Sequence, residues 1–324
     1  MNKGLVSIIT PCYNVEKVVH RYLNSILSQT YKKIELILVN DGSTDKTEEI
    51  LLSYKSIFES QGIIFKYIYQ ENKGLGGAIN TGLKYFTGEY LCWPDPDDIL
   101  HPQSIEKKLI FLQENLEYGC VTSDANMYYE HDLDNTIKKV SDIFKFNSDE
   151  NQFEHMIKGR SIFCPGCHMV RSSAFLDVNP NREIYEARRG QNWQMLLPVY
   201  YKYKRGFIDE PLYNYIIYKN SMSSGDDTKE KKIIRENEHL AIVKNTLENM
   251  SITTKEKDKY YSIFYSDYIK RVFFIATDFG DIILALDYYM LSLKNKIIIE
   301  SSTKILLKLI IKKILRIKPR SKRF

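Results

Sequence analysis

Strand-like and helix-like patterns alternate regularly over the first hundred residues, and few folds are compatible with such an alternation. Short apolar runs rich in β-branched residues predict strands over Leu5–Thr10, Ile34–Val39, Ile63–Tyr69 and Glu89–Trp93. Helical patterns lie between them, and Asn14 is the expected N-cap of the first helix. This alternation is typical of right-handed crossovers, so we predict an α/β fold whose sheet is mostly parallel and flanked by helices.

Three polar segments directly follow predicted strands. They are Pro11–Asn14, Asp41–Asp45 and Asp95–Asp98. Parallel sheets bind their ligands at the carboxyl ends of the strands. We therefore expect these segments to gather at one edge of the sheet and to form the binding site.

The densest group of carboxylates is Asp95, Asp97 and Asp98. Crowded carboxylates repel one another unless a cation neutralises them, and hard divalent cations prefer oxygen ligands shared with substrate phosphates. The segment therefore fits a site for Mn²⁺ or Mg²⁺. The same pattern also fits a solvated acidic turn, or a helix N-cap before Pro102.

Two other segments fit a nucleotide site. Asp41 follows a predicted strand, where a carboxylate can accept hydrogen bonds from a base or a ribose; the alternative is a plain turn in which Asp45 caps the next helix. Gly74, Gly76 and Gly77 begin a helix predicted to run from about Leu75, where backbone N–H groups can meet phosphate. A dinucleotide fingerprint is excluded, because the third glycine is missing and the segment follows the third strand.

Four of these motifs, in this order and spacing, resemble glycosyltransferase family 2, an inverting family with the GT-A fold. The resemblance covers roughly the first 100 residues and continues more loosely to about Tyr218. It implies a Rossmann-like mixed sheet, a GT-A domain over residues 1–218, and transfer of a sugar from a nucleotide-diphosphate sugar. The motifs are Thr10-Pro11-Cys12-Tyr13-Asn14, Val39-Asn40-Asp41-Gly42-Ser43-Thr44-Asp45, Asn72-Lys73-Gly74 with Asn80-Thr81-Gly82, and Asp95-Pro96-Asp97-Asp98.

The resemblance also assigns roles within the site. Asp97 would bind Mn²⁺ or Mg²⁺ on the diphosphate, and Asp95 would face the ribose or the donor sugar. The donor would be a UDP-sugar, and the acceptor a hydroxyl of a glycan or lipid-linked saccharide in cell-surface polysaccharide biosynthesis. The predicted nucleotide-sugar-binding residues are Pro11, Tyr13, Asn14, Asp41, Gly74, Asn80 and Asp95.

The sequence departs from the family at the expected general base. Where the family has an acidic pair before an apolar helix, this chain has the amides Gln191 and Asn192, and an amide is no base near neutral pH. Three explanations stay open. In the first, the base has moved to Glu183 or Glu186. In the second, the two amides position the acceptor. In the third, the protein is a catalytically weak sugar-nucleotide-binding scaffold. We assign the catalytic role to Glu183 with Asn192 and Gln191.

The segment Cys164-Pro165-Gly166-Cys167-His168 matches redox and haem-attachment patterns. Five scattered cysteines, no second pair for zinc and no export signal all disfavour those functions. We interpret the segment as a turn on the acceptor side of the cleft.

After a predicted linker over Asn220–Thr228, helical patterns fill the region 219–302. Of the 46 Lys and Arg residues, nine lie in the tail 303–324, which has no acidic residue. The rest of the chain contains 37 Lys and Arg and 41 Asp and Glu, so it has a small excess of negative charge. The tail therefore predicts an amphipathic helix on an anionic membrane surface, and not a nucleic-acid-binding protein. The alternative is a helix that packs its apolar face on the protein body.

These features predict a cytoplasmic protein, peripherally associated with the inner face of the membrane. No apolar run reaches the roughly 18 residues that span a bilayer.

Overall fold

The computed structural model describes residues 1–219 and 225–314, with the side chains of 312–314 excepted. Its first half is a parallel sheet in the order β3-β2-β1-β4. The four strands are β1 (Asn2–Cys12), β2 (Ile34–Asp41), β3 (Ile64–Gln70) and β4 (Gly88–Cys92). All eight residues of β2 are buried, as in a strand covered on both faces by helices. The four predicted strands are thereby confirmed.

Five helices connect these strands and continue the chain beyond them. They are α1 (Val19–Leu27), α2 (Thr47–Ser53), α3 (Lys55–Ser60), α4 (Gly74–Tyr85) and α5 (Ser104–Glu114). The prediction that Asn14 caps α1 is wrong, because the helix begins only at Val19. Asn14 has a left-handed backbone (φ 51°), and its Oδ1 accepts a hydrogen bond from Thr44 N instead. Its short polar side chain thus ties two loops together.

The second half of the sheet is mixed. It continues from β4 in the order β8-β6-β9-β5, with β7 paired to β6. β8 runs antiparallel to both β4 and β6, whereas β6 and β9 are parallel. The elements are β5 (Ile99–Leu100), β6 (Tyr118–Tyr129), β7 (Lys138–Lys139), β8 (His168–Arg171), β9 (Lys204–Ile217), α6 (Phe153–Ile157), α7 (Ser172–Val178) and α8 (Gln191–Lys202).

The chain divides into two compact units, residues 1–219 with 248–251, and residues 220–247 with 252–324. The second unit is built from α9 (Lys229–Asn249), α10 (Thr254–Asp278), α11 (Ile282–Lys294) and α12 (Ser302–Ile314). The predicted helical C-terminal region is confirmed. None of the helices in the described ranges is long and apolar enough to cross a membrane.

The first part of the basic tail packs on its own unit. Leu306 of α12 is buried in a cluster with Phe273 and Ala276 of α10 and Ala285 of α11. The alternative of a helix docked on the protein body therefore describes α12 up to Ile311. Residues 315–324 of the tail and 220–224 of the predicted linker lie outside the described residues.

Candidate functional site

The three polar segments meet at the carboxyl edge of the parallel strands. Because β1 pairs with both β2 and β4 in parallel, the residues that follow these strands lie at the same edge. Asn14 N donates to Ser43 Oγ at 3.0 Å, which joins the loops after β1 and β2. Pro11 is buried and Tyr13 is 51% exposed, so the Tyr13 ring is available to a ligand.

Asp41 is the last residue of β2 and is buried. Its Oδ1 accepts hydrogen bonds from Gln70 Nε2 at 2.6 Å and from Lys73 N at 2.9 Å. The next residue, Gly42, has φ +71°, and a Cβ there would lie 2.8 Å from Asn72 N. The turn therefore requires glycine, and it fixes the Asp41 carboxylate at the edge.

The acidic cluster is compact. One carboxylate oxygen each of Asp95, Asp97 and Asp98 lies within 4.8 Å of the others, and no other such group of three occurs among residues 1–219 and 225–314. Burial first and the Asp97 carboxylate second raise the pKa of Asp95 well above its ordinary value. Burial also raises the pKa of Asp97, although the Arg21 guanidinium offsets part of that rise. A divalent cation would relieve this desolvated, repelling pair, so the residues present fit such a metal.

Asp98 differs from its two neighbours, because each of its oxygens already accepts a hydrogen bond from β9. Tyr213 OH donates to Oδ2 at 2.7 Å and Ile216 N donates to Oδ1 at 2.8 Å. Tyr218 OH donates to the Asp97 carbonyl at 2.7 Å. Asp98 therefore anchors the loop, and the free ligand positions belong to Asp95 and Asp97.

Sequence reasoning missed two residues beside this cluster, Arg21 and Tyr218. Arg21 donates to Tyr218 OH, and its guanidinium lies 6.0 Å from the centre of the Tyr218 ring. The two residues are 197 positions apart. No local pattern marks such a pair, because only the fold brings it to Asp97.

The glycines at the start of α4 serve packing. A Cβ on Gly76 would lie 2.7 Å from Ala187 N, and Gly76 N donates to Ala187 O at 2.9 Å. Gly74 N donates to Asn72 Oδ1 at 3.2 Å. These N–H groups therefore have protein acceptors, so the role of Gly74 in binding the nucleotide sugar stays a prediction.

The segment 184–187 is fastened to two helices through its backbone. The Asn80 side chain of α4 accepts from Ile184 N at 2.8 Å and donates to Ile184 O at 2.9 Å. Gln194 of α8 makes the matching pair with Tyr185, at 2.6 Å from its N and 3.0 Å from its O. Asn80 thus positions this segment, and its predicted contact with the donor stays untested.

These hydrogen bonds place the two candidate bases, Glu183 and Glu186, at different positions along the axis of α4. Arg182 donates to the carbonyls of Leu83 and Phe86 at the end of the helix, whereas Ala187 meets Gly76 at its start. The segment therefore runs antiparallel to α4. Since α4 starts at the carboxyl edge, Glu186 lies near that edge, while Glu183 lies about 6 Å, or one helical turn, further along the helix. Both residues are exposed.

The amides that replace the expected acids are buried at the start of α8. Asn192 Oδ1 accepts from Trp93 Nε1 at 2.7 Å, and Asn192 Nδ2 donates to the Phe163 carbonyl. Trp93 lies two residues before Asp95 in the chain. Asn192 is therefore beside the site, and its side chain cross-links the structure around it. Gln191 is buried next to it.

The Cys164–His168 segment forms a tight turn under the acidic loop. Pro165–Cys167 is a 3-10 helix, and a Cβ on Gly166 would lie 2.0 Å from the Tyr213 ring, whose hydroxyl donates to Asp98. All five cysteines are free. Burial lowers the pKa of His168 to about 3, so its ring is neutral at pH 7. The turn is a packing element behind the site.

Two solved structures share this architecture. The Staphylococcus aureus protein TarS (residues 1–349, in complex with UDP) aligns with a TM-score of 0.57 at 17% identity, over 88% of this chain and 89% of that one. The mannosyltransferase PcManGT of Pyrobaculum calidifontis, in complex with GDP-Man and Mn²⁺, aligns with a TM-score of 0.56 at 13% identity, over 97% and 88%. At such identities the likeness is one of fold. The α/β sheet followed by a helical region is that of a GT-A glycosyltransferase, as predicted.

The sequence comparisons define the family. Residues 7–179 match the model of glycosyl transferase family 2, and the chain belongs to that family. EpsE of Bacillus subtilis, which is named as a glycosyltransferase, is 31% identical over 216 residues, or 66% of this chain and 73% of EpsE. An uncharacterized glycosyltransferase of Rickettsia typhi is 46% identical over 110 residues, which is 34% of this chain and 32% of that protein. The match thus spans about a third of the rickettsial relative.

Proposed function

We propose that this protein transfers a sugar from a nucleotide-diphosphate sugar, most simply a UDP-sugar, to a hydroxyl of a glycan or lipid-linked saccharide. The reaction would invert the anomeric configuration and serve the biosynthesis of a cell-surface polysaccharide. The observation that carries the proposal is the pair Asp95 and Asp97, whose carboxylates are crowded together at the same sheet edge as Asp41.

The donor would lie along this edge. Asp41, Pro11 and the exposed ring of Tyr13 would hold the base and ribose, because a fixed carboxylate accepts from a base or sugar and an aromatic face stacks on it. Asn14 and Asn80 would act by fixing the loops around the donor, with Gly74 at the start of α4. The complexes of TarS with UDP and of PcManGT with GDP-Man support a nucleotide-sugar donor.

Asp97 would be the protein ligand of Mn²⁺ or Mg²⁺, and Asp95 would face the ribose or the donor sugar. The donors Tyr213 and Ile216 are taken up by Asp98, which leaves the carboxylates of Asp95 and Asp97 for a ligand. A bound divalent ion supplies charge neutralisation for the departing diphosphate. The Mn²⁺ in the PcManGT complex supports this choice of metal.

In the transfer step the acceptor hydroxyl attacks the anomeric carbon from the face opposite the nucleotide, and a carboxylate takes its proton. Glu186 suits this role better than Glu183, because it lies level with the start of α4, at the carboxyl edge. Asn192 would position groups through Trp93 instead of moving a proton. Gln191 would line the same side.

The protein would work in the cytoplasm, peripherally associated with the inner face of the membrane, where a lipid-linked acceptor is presented. Charge supports this setting. The tail 303–324 carries nine cations and no acid, whereas the rest of the chain has an excess of acids.

The proposal is tested by calorimetry with UDP-sugars and GDP-sugars, with and without Mn²⁺. Asp97→Ala should abolish the metal-dependent part of binding, a loss of about 100-fold or more for removing one ligand of a phosphate-bound cation. Asp134→Ala, which removes an exposed aspartate from a loop, is the matched control. Unchanged metal-dependent affinity in Asp97→Ala would refute the metal assignment.

A second candidate function is a catalytically weak sugar-nucleotide-binding scaffold in a membrane assembly. One observation favours it, namely the amide of Asn192 at the family's base position, held in hydrogen bonds to Trp93 and Phe163. A turnover assay with a panel of donors and with acceptor extracts distinguishes the transferase from the scaffold. Metal-dependent binding without any transfer or hydrolysis would select the scaffold.

A further inference from the structure

Helix α11 carries an apolar stripe on the side that faces away from its own unit. The opposite side of the helix packs inward through Ala285 and Ser292, which are buried. A helix that is apolar all round is normally covered by a partner on every side. The outward stripe consists of Ile283 (73% exposed), Leu286, Met290 (61% exposed) and Leu293, spaced three, four and three residues apart as one helical face requires.

Helix α12 extends this stripe. Tyr289 of α11 contacts Thr303 of α12 through their hydroxyls at 3.3 Å. Tyr289 lies one turn from both Leu286 and Leu293, and Leu307 lies one turn after Thr303, so the exposed residues of the two helices border the same contact. Leu307 and Ile311 are both more than half exposed. We call Ile283, Leu286, Met290, Leu293, Leu307 and Ile311 the outer apolar face.

The charges around this face identify its partner. Lys304 and Lys308 are exposed on α12, one turn apart, on the same outward side as Leu307 and Ile311. Asp287 and Lys294, both exposed, flank the other side of the α11 stripe and offset each other. The sequence after residue 314 adds five further cations and no acid. Apolar side chains bordered by lysines match the layered chemistry of an anionic bilayer, with hydrocarbon inside and phosphate outside.

We propose that the outer apolar face inserts into the interface of an anionic bilayer, with Lys304 and Lys308 at the level of the lipid phosphates. This rests on the membrane association within the proposed function and deepens it by naming the surface. It also adds the stripe of α11 to the membrane contact predicted for the tail, because α12 packs on its own unit through Leu306 and leaves Leu307 and Ile311 exposed. A second copy of the chain fits less well, since symmetric pairing would bring the lysines of both copies around one apolar patch.

The test is co-sedimentation of the full chain with vesicles of phosphatidylglycerol and phosphatidylcholine in equal parts. The double variant Ile283→Glu/Met290→Glu should lower vesicle partitioning about tenfold or more, because two apolar side chains no longer leave water. Leu116→Glu is the matched control, since Leu116 is 77% exposed and lies in the other unit. It should bind vesicles as the wild type does.

Three results would overturn the inference. In the first, the wild-type chain stays in the supernatant. In the second, the double variant sediments with the vesicles as the wild type does. In the third, the wild type is a dimer in sedimentation velocity and the double variant is a monomer, with no change in vesicle binding. Calorimetry with a UDP-sugar and Mn²⁺ on the same samples keeps the two proposals apart. Vesicle binding without donor binding would sink the proposed activity and leave the membrane surface standing, and the reverse result would do the opposite.

Discussion

The two edges of the parallel sheet hold carboxylates in opposite states. At the amino edge, Glu35 at the start of β2 accepts hydrogen bonds from Lys66 Nζ at 2.6 Å, from Thr87 N at 2.8 Å, from Thr87 Oγ1 at 2.9 Å and from Ser7. At the carboxyl edge, Asp95 and Asp97 face each other with raised pKa values. A buried acid with its donors built in stabilises the fold, whereas a half-buried pair of carboxylates that repel each other points to a ligand.

Helix α4 connects the two edges of the sheet, and the two candidate bases lie at different positions along it. Substituting each of them in turn gives the largest expected difference in activity. Glu186→Gln should lower sugar transfer by about 10² to 10⁴-fold, the usual contribution of a general base. Glu183→Gln, three residues away and also exposed, should leave transfer unchanged. Steady-state rates with a UDP-sugar measure both. The opposite ranking would restore Glu183 as the base. Full activity in both variants would show that neither glutamate is the general base.

Glu35→Gln should lower the free energy of unfolding by about 3 kcal/mol, because Lys66 and several donors lose a charged partner in a buried place. Metal-dependent donor binding should stay intact. Glu59→Gln is the matched control: Glu59 pairs with Lys55 at 3.9 Å on the surface, where both side chains are about half exposed, and should matter little. Urea unfolding gives both values, and equal losses would contradict the contrast.

The stability of the wild type and that of Glu35→Gln should also depend differently on pH. Burial alone would raise the pKa of Glu35, but the hydrogen bonds from Lys66, Ser7 and Thr87 outweigh it and lower the pKa below its ordinary value of about 4.5. A lowered pKa contributes stability that is complete above the ordinary value and is lost as the pH falls through the folded-state value. The stability difference between wild type and Glu35→Gln should therefore shrink below about pH 4.5.

Asn192→Asp should destabilise the protein by about 2 kcal/mol, although it restores the family's acid. The new carboxylate oxygen would face the Phe163 carbonyl, where the Asn192 amide now donates. Asn181→Asp, at an exposed position, is the control for adding a charge. Thermal unfolding measures the difference, and an unchanged melting temperature would show that the cross-link is dispensable.

Asp97→Asn should have the smallest effect and the opposite sign, with a gain of about 1 kcal/mol or less in the absence of metal. A raised pKa means that the folded chain binds a proton more tightly than the unfolded chain, so stability falls as the pH rises past the ordinary value. The amide removes that cost at pH 7. Mn²⁺ should then raise the melting temperature of the wild type but not of the variant, and a loss of stability in Asp97→Asn would contradict this account.

The sequence pattern predicted the parallel half of the sheet, because local composition and strand order determine that part of the fold. β2 is apolar throughout because helices cover both its faces, so its composition alone marks it. The residues after β1, β2 and β4 could be placed at one edge because parallel strands share direction. Asn14 was misassigned, because an asparagine before a helix suits both an N-cap and a left-handed bridge between loops.

The rest depended on contacts that sequence spacing does not encode. Tyr213 reaches Asp98 across 115 positions, and Trp93 reaches Asn192 across 99. The level of Glu186 along α4 follows from the backbone bonds of segment 184–187, not from any motif. The docking of α12 was equally hidden, because its apolar residues predict either a membrane or a protein surface until Leu306 is seen to be buried.

The attachment of the acidic loop to β9 has a consequence for how tightly a ligand can bind. With Asp98 held by Tyr213 and Ile216, and the Asp97 carbonyl held by Tyr218, the loop has already lost its conformational freedom during folding. Ordering a residue costs about 1–2 kcal/mol, and here that cost does not recur when the cation and nucleotide arrive. The site is preorganised, so Tyr213→Phe, which removes the hydroxyl that donates to Asp98, should weaken binding of the cation and nucleotide by loosening the loop that carries Asp95 and Asp97.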